Sequence, residues 1–185
     1  MNVYDFDGTI YNGDSTIDFF LFALKNKPSL ITYLPSQIIG FFLYGLRKIT
    51  KTQLKEYYFK FLEGIDTVRL VDRFWNENHK KIYPWYLSQQ DPNDIIISAS
   101  PEFLLKPICK KLGIQFLIAS KVDITSGKFI GENCKGVEKV RRLEEEYNIT
   151  HIENFYSDSP SDLPLAKIAN HAFLVKYGKP SNWRL

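Results

Sequence analysis

Asp5 and Asp7, two residues apart in Asp5-Phe6-Asp7-Gly8-Thr9, have the types and spacing to do chemistry together. In an extended segment such residues point to the same side. At ~5 Å and an effective dielectric of ~20, their charges repel by roughly 3 kcal/mol. A cation, a proton or solvent must offset that. Oxygen-only ligands of this kind suit Mg²⁺, which takes one or two carboxylates and keeps its other positions for water and substrate phosphate. Gly8 lets backbone approach a ligand, and the Thr9 hydroxyl can close the turn. The plainer alternative for so short a motif is a solvated strand-to-loop turn.

Later apolar runs also end in polar residues. Ile95-Ile96-Ile97 leads into Ser98-Ala99-Ser100-Pro101, which places hydroxyls and backbone N–H groups at a helix start, a natural phosphate cradle. Ser98 has no packing role to explain it there, whereas Ser100 fits either a helix cap or a phosphate contact. Ile152 to Tyr156 leads into Ser157-Asp158-Ser159-Pro160-Ser161-Asp162. Asp158 is the better metal ligand, and Asp162 fits a helix N-terminus equally well. A cation to hold a transferring phosphoryl group is available at Lys135 or Lys139, around the start of another helix.

The elements that must position these groups are of two kinds. From Ile95 onward, short apolar runs alternate with amphipathic stretches, the signature of a parallel sheet flanked by helices in an α/β fold. Strands are expected at Ile95 to Ile97, Phe116 to Ala119, Ile152 to Tyr156 and Ala172 to Val175. A helix with Pro101 in its first turn should end before Gly113, another should run from Gly136 to Tyr147, and Val122 to Ile130 should form a β-hairpin. Between Gly13 and Gln90 the chain carries four helical stretches instead. Ser15 with Asp18 fits an acidic cap, Thr50 with Gln53 a capping box, and Gly64 then Asp66 a stop and restart. The expected organisation is a core of residues 1–12 and 92–185 with a helical cap at 13–91, rooted where ligands bind in open α/β sheets.

Composition narrows the function classes. The chain has 185 residues, 44% hydrophobic, enough for a core plus an insertion. Its net charge of +3 argues for no bulk electrostatic partner, and no nucleic-acid role is expected. Cys109 and Cys134 lack zinc or disulfide spacing, which points to structural thiols in a reducing, cytoplasmic setting. No signal peptide is recognised.

In order, DFDGT, a strand ending in SAS, a lysine and SDSPSD resemble the four motifs of the haloacid dehalogenase superfamily of phosphohydrolases. The insertion between the first two is similar to the cap of the phosphoserine-phosphatase-like subgroup. Tyr156-Ser157-Asp158-Ser159 with Asp162-Leu163-Pro164-Leu165, and Cys134-x-Gly136-x-Glu138-Lys139-Val140, resemble its phosphatidylglycerophosphatase C-like branch, which favours Lys139 as the third-motif lysine. Glu132-Asn133-x-Lys135-Gly136 resembles phosphoserine phosphatases and keeps Lys135 in play. The chain departs from the latter in carrying Ser157, Ser159 and Ser161 where they have two glycines and an asparagine.

The resemblance implies a Rossmann-like, haloacid-dehalogenase-like fold and a Mg²⁺-dependent phosphomonoesterase. Asp5 would attack phosphorus and Asp7 would act as acid and base. Mg²⁺ would be held by the Asp5 carboxylate, the Asp7 backbone carbonyl and Asp158. Ser98, Lys139 and the Gly8 and Ala99 amides would hold phosphoryl oxygens, with Thr9, Ser100, Lys135 and Ser161 near the substrate and Asp162 orienting the lysine.

Leu30 to Leu46 is apolar, broken by Pro35, and followed by Arg47, Lys48, Lys51 and Lys55. It is too short for a span of ~20 apolar residues. Two expectations remain: an interfacial segment whose basic flank meets anionic headgroups at the inner membrane face, or a helix buried in the cap. Trp75, Tyr83 and Trp85 line a pocket or belong to the core. A phosphate-receiving signalling domain and an inactive binding module are the rival classes. The substrate is a lipid phosphate such as phosphatidylglycerophosphate, or else phosphoserine or a small phosphorylated metabolite.

Overall fold

A computed structural model describes residues 1–184. The apolar runs become β1 (Asn2–Tyr4), β2 (Ile95–Pro101), β3 (Phe116–Ser120), β4 (Ile152–Ser157) and β5 (Ala169–Lys176), paired in parallel in the order β3-β2-β1-β4-β5. Period-2 alternation gives the sheet two buried faces. Val3, Ile95, Ile97, Ile118 and Phe155 pack on one side, and Tyr4, Ile96, Leu117 and Tyr156 on the other. A sixth strand, β6 (Lys179–Asn182), runs antiparallel to β5. It had no sequence signal, because its two-residue turn puts Tyr177 as well as Gly178 at positive φ, and tyrosine is no marker for that conformation.

The helices are α1 (Ser15–Asn26), α2 (Leu34–Gly45), α3 (Lys51–Phe59), α4 (Thr67–Asn78), the short α5 (Pro84–Leu87), α6 (Glu102–Lys111), α7 (Val137–Tyr147) and the short α8 (Leu163–Ala166). The first five lie between β1 and β2. Thr50 and Gln53 form the reciprocal capping box at α3, and Asp66 caps α4. At α1 the cap is Asp14, which accepts from Thr16 N and Ile17 N, and not Ser15. Ser15 sits one residue further in because its own N–H donates to Asp7 at 2.7 Å. Pro101 likewise precedes α6 as the last residue of β2.

The 122–130 segment reduces to a single antiparallel bridge, Val122 with Phe129. Its turn is closed by the Asp123 carboxylate, and Phe129 N donates outward to Glu56 on α3. Asp123 N to Lys128 O and Ile130 N to Lys121 O, both at 2.8 Å, still join the two arms as a minimal hairpin, which the bond to Glu56 ties to the insertion.

The chain steps from β1 outward to β2 and β3, then returns past β1 to β4. The reversal falls between β1 and β4, where Tyr4 pairs with Tyr156. Ligands in open α/β sheets bind beyond the carboxyl ends of strands at such a switch point. Asp5 and Asp158 lie just beyond those two ends.

Candidate active site

Asp5 follows the last residue of β1, and its N–H donates to Tyr156 O on β4 at 2.9 Å. Its carboxylate accepts from Lys139 Nζ at 2.8 Å. Lys139, in the first turn of α7, is 2% exposed, and donates also to Asp162 at 2.7 Å. Asp162 in turn accepts from Ser157 Oγ at 2.8 Å. A buried ammonium is tolerated only when its protons are matched by acceptors. Burial opposes the Lys139 charge, but the Asp5 and Asp162 carboxylates outweigh that and hold its pKa above the ordinary lysine value. Burial also raises Asp5, Lys139 pulling it partly back.

Asp7 is held apart from this array. Its carboxylate turns to the start of α1 and to β2, accepting from Ser15 N and from Ser100 Oγ. Burial and the charge of Asp14 push it up to about 6, against the hydrogen bonds from Ser100 and Ser15. The shared face expected for Asp5 and Asp7 is therefore divided. The cause is the turn after Tyr4, in which the N–H groups of Thr9, Ile10 and Tyr11 all donate to Phe6 O.

Gly8 has a different job from the one expected. Its amide donates to the carbonyls of Tyr11 and Gly13, so it is not free for a phosphate. What glycine supplies is space at φ +70°: a Cβ there would lie 2.1 Å from Asp158 Oδ2. Thr9, fully buried, accepts from Asp158 N at 2.9 Å through its hydroxyl. Gly8 and Thr9 thus seat Asp158 against the first loop.

Ser98 is buried and its Oγ accepts from Ser100 N at 3.1 Å. Ser100 is not a helix cap, since α6 has no side-chain cap; its hydroxyl contacts Asp7 and Thr16 Oγ1. Asp162 makes no side-chain cap either. Its acceptors serve Lys139 and Ser157, a hydrogen bond that a glycine at 157 would not make.

A cavity of about 650 Å³ gathers these groups. Asp5, Asp7, Gly8, Ser98, Ala99 and Ser100 line it, joined by Lys135, Lys139, Asp158, Ser161 and Asp162. Only Thr9, of the expected site residues, is absent from its wall. The opposite wall comes from the insertion: Thr16, Ile17, Phe41, Lys51, Leu54, Lys55 and Tyr58. Trp75 is in the core, its Nε1 donating to Leu104 O, and neither Tyr83 nor Trp85 reaches the cavity.

The sequence profile of haloacid dehalogenase-like hydrolases matches residues 3–167. The chain belongs to that family. A Mycobacterium tuberculosis protein named "probable phosphatase" is 25% identical over 194 residues, covering 93% of this chain and 67% of its own. A histidinol-phosphatase of Neisseria meningitidis is 25% identical over 169 residues, covering 78% and 71%. A solved structure from Bordetella pertussis, of unknown function, shares the fold with TM-score 0.74 at 19% identity, covering 93% of this chain and 87% of its own. By family this chain is a hydrolase, and both of those curated relatives carry phosphatase names. The signalling and inactive-module readings fall away.

Among the described residues of this hydrolase, no three Asp, Glu, His or Cys side chains converge as a closed metal site. The donor chemistry still fits a hard cation that keeps open positions. Asp5 and Asp158 both face the cavity, and burial first, with repulsion from neighbouring carboxylates after it, raises Asp5, Asp7 and Asp158 alike, a cost that a bound cation would relieve. The Asp7 carboxylate, already engaged by Ser15 and Ser100, is the poorest side-chain candidate.

Several wall residues carried no motif. Ser15, behind the wall and expected only as a cap, acts on the site through its backbone N–H to Asp7. Lys55 stood in a basic flank expected to face lipid, yet its Nζ turns inward to Ala99 O and Asn133 Oδ1, both at 2.7 Å. Its spacing of four from Lys51 was the available signal, since residues i and i+4 share a helix face.

Proposed function

We propose that this hydrolase cleaves phosphomonoesters through an aspartyl-phosphate on Asp5. The observation that carries the reading is the separation of two carboxylates, Asp5 buried against Lys139 and Asp162, and Asp7 half-buried against Ser15 and Ser100. Environments that divide two such groups divide their roles. An Asp5 oxygen attacks phosphorus, and the bond from phosphorus to the ester oxygen breaks. Asp7 gives that oxygen its proton. Asp7 then takes a proton from water, whose oxygen attacks the phosphorus of the acyl phosphate, releasing phosphate and restoring Asp5. A carboxylate nucleophile splits one difficult displacement into two. Lys139 and Ser98 hold the non-bridging oxygens, with Ala99 N at the strand end, and Asp162 orients the lysine. Ser100 and Ser161 shape the phosphate end, and Lys135 stands toward the leaving group.

Asp5, Asp158 and the Asp7 backbone carbonyl would hold Mg²⁺, which when bound supplies positive charge beside the phosphoryl oxygens. Phosphate release from p-nitrophenyl phosphate tests the reading: release with added Mg²⁺, abolished by chelation and restored by Mg²⁺, is expected. No release under any of these conditions would overturn it.

The helices of residues 13–91 would serve as the cap, excluding water from the cavity. Helix α2 supports a lipid phosphate as substrate, phosphatidylglycerophosphate being one example. It packs on α3 through Gln37 and Gly40, where a Cβ at 40 would meet Tyr57 at 2.6 Å. Its apolar residues face outward: Ile38 is 66% exposed and Phe42 67%. A helix buried in the cap is therefore not what α2 is. Exposed Arg47 and Lys48 follow, complementary to anionic headgroups. Phe41, itself exposed, also lines the cavity, so the apolar face runs to its mouth. Among the described residues no helix is long and apolar enough to cross a membrane, so the contact is peripheral. Flotation with vesicles rich in phosphatidylglycerol should carry the protein upward at low salt and lose it on Phe42→Asp substitution. No flotation at low salt would remove the membrane contact. The relative named histidinol-phosphatase favours the second reading, a small phosphorylated metabolite.

A further inference from the structure

The catalytic reading gives three of the cavity's lysines no part in phosphoryl transfer itself, placing Lys135 only toward the leaving group. Lys51 and Lys55 come from α3 and Lys135 from the loop before α7, and all three line the wall shared with Phe41, Leu54 and Tyr58. Among the described residues, none of the three makes an ion pair with a carboxylate. Long, solvated lysine side chains move apart unless something draws them together. Here Lys51 and Lys135 share the cavity wall, and the neighbouring ammonium, then burial, pulls Lys51 down to about 8. Lys55, more deeply set, is lowered to about 8 by burial and by Lys51.

Lys55 alone has a structural explanation. Two of its three ammonium protons go to Ala99 O and Asn133 Oδ1, tying α3 to the end of β2 and to the loop of Lys135. That bond fixes the wall and brings the other two lysines to one place. Crowded cations that no carboxylate contacts directly, with Asp14 and Asp7 acting on Lys55 only through space, at the edge of a cavity whose phosphate end already has Lys139, are arranged for a second anion.

We propose that Lys51, Lys55 and Lys135 form a subsite for a second negatively charged group, carried on the leaving-group side of the phosphomonoester. The inference rests on the phosphomonoesterase reading for its direction along the substrate. The ligand chemistry is a phosphate monoester whose leaving group carries another anion, such as a phosphodiester. That second anion belongs to a lipid headgroup or to a free metabolite, and Lys51 and Lys135 recognise the charge in either.

Four substrates separate these cases: p-nitrophenyl phosphate; dioctanoyl phosphatidic acid, which has chains and no second anion; dioctanoyl phosphatidylglycerophosphate, which has both; and its deacylated form, which has the second anion alone. In the wild type, kcat/KM should be higher for each second-anion substrate than for its counterpart. Lys51→Gln and Lys135→Gln should each reduce that ratio about tenfold, the scale of one lost charged hydrogen bond. The loss should appear in KM, because a contact made equally in ground and transition state acts there. Preference for both second-anion compounds assigns the anion to either source, and preference for the acylated one alone assigns it to lipid. Ratios unchanged in both variants would overturn the subsite. Calorimetric binding of deacylated phosphatidylglycerophosphate to Asp5→Asn protein reads the subsite without turnover: about tenfold weaker binding after Lys51→Gln supports it, and equal binding overturns it. Absent turnover with intact, lysine-dependent binding would count against the phosphatase reading alone.

Discussion

Asp5→Asn protein should fold as the wild type does and lose turnover by roughly 10⁴-fold or more, the scale on which hydrolases lose rate without their nucleophile. Asparagine keeps the size of aspartate, and its side-chain oxygen still accepts from Lys139, which holds Asp5 at 2.8 Å. Lys139 retains its second acceptor in Asp162. The change therefore leaves no buried cation unmatched, and it removes one carboxylate from a site crowded with them. What it cannot do is form an acyl phosphate, because a neutral amide is a poor nucleophile. Thermal unfolding and phosphate release, measured on one preparation, check both halves. Near-normal release would refute Asp5 as the nucleophile.

Lys139→Met has the opposite balance and should damage stability as well as rate. Methionine matches the length of the stem and deletes the ammonium that joins Asp5 to Asp162. Breaking a buried ion pair by removing one partner costs about 3–5 kcal/mol. Two buried carboxylates then face each other without a cation. The sign of the pH dependence follows from burial. It holds Asp5 above its unfolded pKa, and the loss of Lys139 removes the charge that pulls it back, so the folded variant binds more protons than the unfolded chain and its stability rises as pH falls. Urea denaturation should show a deficit near pH 8 that shrinks toward about pH 5 as those protons bind. A deficit independent of pH would mean that Lys139 matters only through packing.

These two residues also mark how far the sequence could be read. Asp5, Asp7, Ser98 and Asp158 were legible because each ends an apolar run, and strand ends at a switch point are where ligands bind. Lys139 and Lys135 were not separable from residue type alone. Both flank the start of α7, and the helix turns Lys139 into the sheet while Lys135 stays with Lys51 at the cavity wall. Gly8 was recognised as a place for close approach, but the approaching atom is Asp158 and not a ligand at its amide. Ser15 was misplaced by one residue because its amide answers Asp7, a partner outside its own helix.

The insertion was the least legible part. Its helices were marked by local caps at Thr50 and Asp66, which act over three or four residues. Which face of α2 meets α3 depends on Gly40 admitting the Tyr57 ring, a contact between helices that neither sequence announces alone. The inward turn of Lys55 depends on Asn133, 78 residues away.

The central claim is a covalent phosphoenzyme at Asp5, and it can be read directly. Wild-type protein mixed with phosphorus-radiolabelled aryl phosphate and Mg²⁺, quenched in acid and digested, should carry label on the peptide containing Asp5. Hydroxylamine should release that label, and Asp5→Asn protein should show none. Turnover with no acid-stable label on that peptide, or label persisting in the Asp5→Asn protein, would contradict it.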